Sequence, residues 1–179
     1  DGTILRADLS TNLKLGHIPL DISTMRILSA GAIQNTIEAY IPDGNTDPIF
    51  ARVNGATDPT LRLTWAANSV VVCQFGPVAK PADMDEASVM VVKLRMAKDA
   101  NTDTAAVMGV GIFDGVGDTN AGGNTAALSV STLATYSVTM AAVALAAPPG
   151  TLSITLTPGT HANDAFYLYS AWIEYTRQA

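Results

Sequence analysis

Between Ala87 and Met96 the side chains sort into two rows at a period of two, and this regularity constrains the chain more than any other feature of it. One row is Ser88, Met90, Val92, Leu94 and Met96, apolar after its first member; the other runs Val89, Val91, Lys93, Arg95. Alternation of this kind is the mark of a β-strand, whose successive side chains point to opposite faces. One face is therefore buried along its length, and the other emerges into water partway.

The pattern recurs. Leu61, Leu63 and Trp65 alternate with Thr60, Arg62 and Thr64, and Leu152, Ile154 and Leu156 alternate with Ser153, Thr155 and Thr157, both as half-buried strands. Val70 to Phe75 is apolar in both rows and predicts a strand covered on both sides. Ala165 to Thr176 reads as a central strand with Phe166, Leu168 and Trp172 on one face and Tyr167, Tyr169, Ile173 and Tyr175 on the other. Met25 to Leu28, Ile49 to Val53 and Thr104 to Phe113 are further strands, the last with Gly109 and Gly111 on one face, where glycine signals a bulge or a close backbone approach. Residues 126–145 carry alanines that allow a helix, but their Ser, Thr and Val favour a strand.

Turn chemistry separates these segments: Pro42 to Pro59, the polar turn Lys98 to Asp103, and the glycine-rich Asp114 to Asn124, expected to be exposed and mobile. Pro77 and Pro81 mark Gly76 to Asp85 as a crossing connection, because proline cannot donate to a ladder. Three glutamates and four lysines are few for a helical protein. Together these features predict an all-β fold, a two-sheet antiparallel jelly-roll-like sandwich over residues 31–179, preceded by an extended N-terminal arm or edge segment over residues 1–30. The arm's apolar residues, Leu5, Leu9, Leu13, Leu15, Ile18 and Leu20, serve either as a first strand packed on their own domain or as a subunit interface laid over a neighbour.

Composition excludes several functions. A net charge of −6, with ten Lys and Arg that form no cluster in sequence, argues against nucleic acid as a partner. The longest apolar stretch, Met140 to Ala147, is far short of a membrane span, so no membrane partner is expected, and the opening residues lack the layout of a signal peptide. Cys73 is the single cysteine and sits in an apolar run, as a buried structural thiol does. His17 and His161 lack metal-ligand spacing, and no Gly-x-Ser-x-Gly elbow is present. The acidic set Asp83, Asp85 and Glu86 reads as a charged connection rather than a glycosidase pair, and Asp114, Asp118 and Asn120 lack the pattern of a calcium loop. No enzyme activity, metal or cofactor is expected.

The segments Leu61-Arg-Leu-Thr-Trp65, Phe75-Gly-Pro77, Pro81-Ala-Asp-Met-Asp85, the glycine-rich loop, Leu152-Ser-Ile-Thr-Leu-Thr-Pro158 and Tyr167-Leu-Tyr-Ser-Ala-Trp-Ile-Glu-Tyr175 give the chain a resemblance to the jelly-roll decoration, or cement, proteins of tailed bacteriophage capsids. That resemblance implies a homotrimer on the outer surface of a virion capsid, made in the host cytoplasm and bridging major capsid protein subunits, with no catalytic residues. The alternative is a carbohydrate- or receptor-binding module of a virion fibre, baseplate or cell surface. Such a module needs an aromatic platform, for which Trp65, Tyr40, Tyr136, Tyr167, Tyr169 and Tyr175 are the candidates.

Overall fold

The computed structural model describes residues 14–29, 32–36, 48–52, 60–85, 87–100, 102–114, 120–128, 132–140 and 150–178. Thirteen strands are present among them: β1 (Leu15–Leu20), β2 (Arg26–Ser29), β3 (Ala32–Thr36), β4 (Ile49–Arg52), β5 (Leu61–Trp65), β6 (Val72–Gln74), β7 (Val78–Ala79), β8 (Met90–Lys98), β9 (Met108–Asp114), β10 (Asn120–Asn124), β11 (Ala134–Met140), β12 (Thr151–Pro158) and β13 (Phe166–Thr176). They form two antiparallel sheets packed as a sandwich. The first runs β11-β8-β13-β5-β4, with β1 also on β13; the second runs β10-β9-β12-β6-β2-β3, with β7 also on β12.

Each sheet turns its apolar rows toward the other. The first sheet turns Leu63, Trp65, Met90, Val92, Leu94, Met96, Tyr136, Val138, Met140, Phe166, Leu168, Ala171, Ile173 and Tyr175 inward, all of them buried. The second answers with Ile27, Cys73, Phe75, Met108, Val110, Ile112, Leu152, Ile154 and Leu156. Interdigitation of two such rows makes one continuous core, and removing that apolar area from water is the main stabilising term. Cys73 lies fully inside it. Lys93 is half-buried and Arg95 exposed on the outer face of β8, where the alternation of that strand puts them.

Two strand expectations need correction. Val70 to Phe75 is not covered on both sides: Cys73 and Phe75 are buried, but Val70 is 80% exposed. The ladder there holds only Val72 to Gln74, so Val70 and Val71 precede the pairing; Val71 packs partly against the core and Val70 is left in solvent. The second half of the glycine-rich segment is an edge strand, β10, paired along its length with β9. Gly111 fits that ladder because a Cβ there would come within 2.6 Å of the Thr155 hydroxyl, the close approach that glycine on this face signals.

β1 pairs antiparallel with β13 over its whole length, placing Ile18 opposite Ile173 and Leu20 opposite Ala171. Ile18 and Leu20 are buried in this chain's own core, and Leu15 is half-buried. Leu5, Leu9 and Leu13 lie outside the described residues, as does Tyr40. Pro19 is tolerated because, among the described residues, β1 has a partner on one side only. Gly16 faces Tyr175 in the register, and the phenol ring fills the space a Cβ would take. Tyr175 is itself buried and donates its hydroxyl to Asp83 Oδ1 at 2.9 Å, so the ring has little room to withdraw. Gly16→Ala is expected to cost about 1–3 kcal/mol by overpacking. Urea denaturation checks it; an unchanged midpoint would show that the ring swings aside freely.

Candidate functional site

The outer face of the first sheet is where the strand alternation departs from what the sequence predicts. Down β13, Phe166 and Leu168 point inward, but so do Ala171, Ile173 and Tyr175. The change of parity comes from a β-bulge between Leu168 and Ser170, where Tyr169 is inserted without a partner of its own on β8. Trp172, expected on the face of Phe166, is therefore moved to the outer face with Tyr167. Ile173 and Tyr175 move to the core.

Register arranges that outer face as a grid. Tyr167 lies between Ala97 of β8 and Thr64 of β5, which is followed by Ile49 of β4. The bulge, Tyr169 and Ser170, lies between Arg95 of β8 and Arg62 of β5, the latter one residue on from the Leu63–Leu168 pair. Trp172 lies between Lys93 and Pro19, and Glu174 between Val91 and His17. Beyond β8, the outer strand β11 adds Thr135 beside Arg95, Ser137 beside Lys93 and Thr139 beside Val91, all exposed.

Side-chain contacts hold the aromatic groups in place. The Arg62 guanidinium stacks over the Tyr167 ring, 3.5 Å from its centroid, and its Nη1 is 3.4 Å from the Tyr169 hydroxyl. Trp172 donates its indole N–H to Glu174 Oε1 at 3.2 Å, Lys93 Nζ is 3.2 Å from Glu174 Oε2, and His17 Nε2 is 3.7 Å from Oε1. Burial alone would raise the Glu174 pKa; the indole hydrogen bond and the Lys93 and His17 charges outweigh it and hold the carboxyl below its ordinary value. At the opposite end of the face, burial, reinforced by the charge of Asp99, pushes the Tyr167 hydroxyl upward. That hydroxyl stays protonated at neutral pH and donates to the Asp99 carboxylate, leaving its oxygen to accept. The two buried side-chain polar atoms without a partner among the described residues, Arg62 Nε and Thr64 Oγ1, belong to adjacent outward positions of β5 on this same face.

The other residues considered from sequence sit elsewhere. Trp65, Tyr136 and Tyr175 are buried in the core. Asp83 accepts from Tyr175 and pairs with Arg177, and Asp85 accepts from Ala87 N–H and the Ser88 hydroxyl, so these two carboxylates are occupied in the connection before β8. Glu86 and Asp118 lie outside the described residues, and so do the side chains of Asp114 and Asn120. His161 is buried, stacked 4.1 Å from Phe166, with its ring nitrogens 2.6 Å from Gly159 O and 3.1 Å from Ala66 O, a brace between loops. No helix among the described residues is long and apolar enough to cross a membrane.

No protein-family model matches the sequence, and no curated protein matches it. Among solved structures the chain is similar to a xylan-binding module, CBM15, with a TM-score of 0.51 at 14% identity, covering 92% of this chain and 99% of that one. At that identity the likeness concerns the fold, which is thereby the jelly-roll sandwich of such modules. Weaker likenesses, on which nothing rests, are to a CBM61 module solved with β-1,4-galactotriose (TM-score 0.43, 10% identity, 92% of this chain and 88% of that one) and to a family two carbohydrate esterase from Cellvibrio japonicus (0.38, 7%, 92% and 34%). None of these three is a capsid protein.

Proposed function

We propose that the chain is a carbohydrate-binding module and that the outer face of the first sheet is its binding surface. The observation that carries this is the placement of Tyr167, Tyr169 and Trp172 on one solvent-facing side of β13, flanked by Arg62, Lys93, Arg95, Thr135 and Ser137. A sugar ring presents an apolar face of C–H groups and a rim of hydroxyls. An aromatic surface matches the first, and polar side chains one strand away match the second. Residues two apart on a strand are about 7 Å apart and neighbouring strands about 4.8 Å, so Tyr167 to Trp172 offers room for more than one sugar unit. The fold likeness to a xylan-binding module supports the same reading.

A glycan array tests it. Wild-type protein is expected to give saccharide hits that Trp172→Ala loses by roughly tenfold or more in affinity, as removal of a stacking aromatic anchor does. Thr157→Ala, on the exposed side of the second sheet, leaves those hits intact. Identical profiles for wild type and Trp172→Ala would overturn the proposal. The decoration role that the resemblance to capsid cement proteins implies makes a different forecast, a homotrimer in sedimentation at micromolar concentration and capsids whose melting temperature rises on binding.

A further inference from the structure

The chain carries a net charge of −6, yet the middle of this face is basic. Arg62 and Arg95 stand on either side of the β13 bulge, about 10 Å apart at ordinary strand spacing, and Lys93 follows beside Trp172. Glu174 neutralises Lys93 at 3.2 Å. The two arginines have no such partner: the ion pairs among the described residues are His17–Glu174, Lys93–Glu174, Lys98–Asp164 and Arg177–Asp83. The acids of the face, Asp99 beside Tyr167 and Glu174 below Trp172, lie at its two ends. Arg95 is exposed, and Arg62 is held flat on Tyr167 with its Nε unpaired. Stacking on Tyr167 fixes the Arg62 charge in place with its Nε buried and its Nη1 toward the Tyr169 hydroxyl, so Arg62 acts as a held positive charge. The exposed Arg95 offers the planar N–H pair that matches two carboxylate oxygens.

Resting on the carbohydrate-binding reading, we infer that the ligand is an acidic polysaccharide, one whose carboxylate-bearing sugars place an anion between Arg62 and Arg95 while a neighbouring ring lies on Trp172. A neutral chain offers the two arginines hydroxyl acceptors but no countercharge, so it gains less from them than a carboxylate-bearing chain does. The hydroxyls of Thr135 and Ser137 flank the arginine and lysine of β8 and complete a polar margin for the sugar hydroxyls.

Affinity electrophoresis and titration calorimetry with polygalacturonate, neutral xylan and a single-stranded oligonucleotide test this. Polygalacturonate is expected to bind tighter than xylan, and its binding to weaken as salt rises. Arg95→Ala lowers the polygalacturonate-to-xylan affinity ratio by roughly tenfold, the worth of a charge-assisted hydrogen bond, and Arg95→Glu lowers it further. Because Arg95 is exposed, both variants keep the wild-type melting curve. Equal binding of the acidic and neutral chains, or an unchanged ratio in Arg95→Glu, overturns the acidic specificity and leaves the carbohydrate reading standing. Binding of the oligonucleotide in preference to polygalacturonate overturns it in favour of a general polyanion site. Absence of binding to either polysaccharide overturns both.

Discussion

Lys98→Ala is expected to lower stability by about 3–5 kcal/mol, the cost of leaving one member of a buried ion pair without the other. Lys98 continues the inward row of Met90, Val92, Leu94 and Met96, so its stem enters the end of the sandwich. Its ammonium lies 3.0 Å from Asp164 Oδ2, with both side chains fully buried, and donates to Asp103 O at 2.6 Å. Asp164 also accepts from the backbone N–H of Thr102 and Asp103, while Asp103 Oδ2 accepts from the N–H of Asn163 and Asp164. This reciprocal set ties the β8–β9 turn to the β12–β13 turn. Urea denaturation of Lys98→Ala measures the loss; a change under 1 kcal/mol would show the pair to be dispensable. Lys98→Met/Asp164→Asn is expected to lose less than Lys98→Ala alone, because no unpaired charge remains inside.

The same cluster sets an acid limit. Burial raises the Asp164 pKa, but the hydrogen bonds from the backbone N–H of Asp103, from Lys98 and from the Thr102 N–H, with the Lys98 charge, exceed it and leave the carboxyl below its ordinary value. Asp103 is lowered too, first by the Asn163 N–H. A carboxyl depressed in the folded state contributes stability that is fully present above its unfolded pKa and is lost as pH falls through its folded one. Stability is therefore expected to hold near neutrality and to decline only in the acid range below that of an ordinary aspartate. In Lys98→Ala the acid decline is shallower, since without the Lys98 hydrogen bond and charge the folded Asp164 pKa moves up toward its unfolded value and less pH-dependent stability remains to be lost. Urea midpoints at stepped pH values read this directly, and parallel curves for the two proteins would contradict it.

Trp65→Ala carries the second large effect, about 3–5 kcal/mol for removing a large aromatic side chain from a packed core. Trp65 is fully buried, and its indole N–H donates to Val71 O at 3.0 Å. The truncation thus opens a cavity and also orphans a carbonyl in the turn that leads to β6. Trp65→Phe separates the two costs by keeping most of the volume and losing the donor. In the register Trp65 faces Phe166, and Phe166 faces Lys98, so both large predictions fall on one inward row across β5, β13 and β8. His161 stacks on the same Phe166. Trp65→Ala and Lys98→Ala in combination are accordingly expected to deviate from additivity, which a double-mutant cycle measures.

Much of this fold is legible in single strands. The inward rows Met90 to Met96, Leu63 and Trp65, and Leu152 to Leu156 are buried as their period of two requires. The parity that buries Met96 also reaches Lys98, a signal visible in the sequence once the strand is extended past Ala97. The candidate platform is different. Tyr167 and Tyr169 stand among the aromatic groups that sequence points to, but Trp172, which closes one end of the platform, falls on the other face by alternation alone.

What the sequence determined by itself is the all-β class, the two-sheet sandwich and the buried row of most strands, because alternating hydrophobicity is a local property of one segment. What the tertiary structure decided is the outer face. A bulge exists only as a mismatch between two paired strands, and the spare residue at Tyr169 is defined by the partner strand β8. That single offset carries Trp172 out of the core. Strand order, likewise a property of the whole sheet, then places Arg62 of β5 and Arg95 of β8 on either side of it.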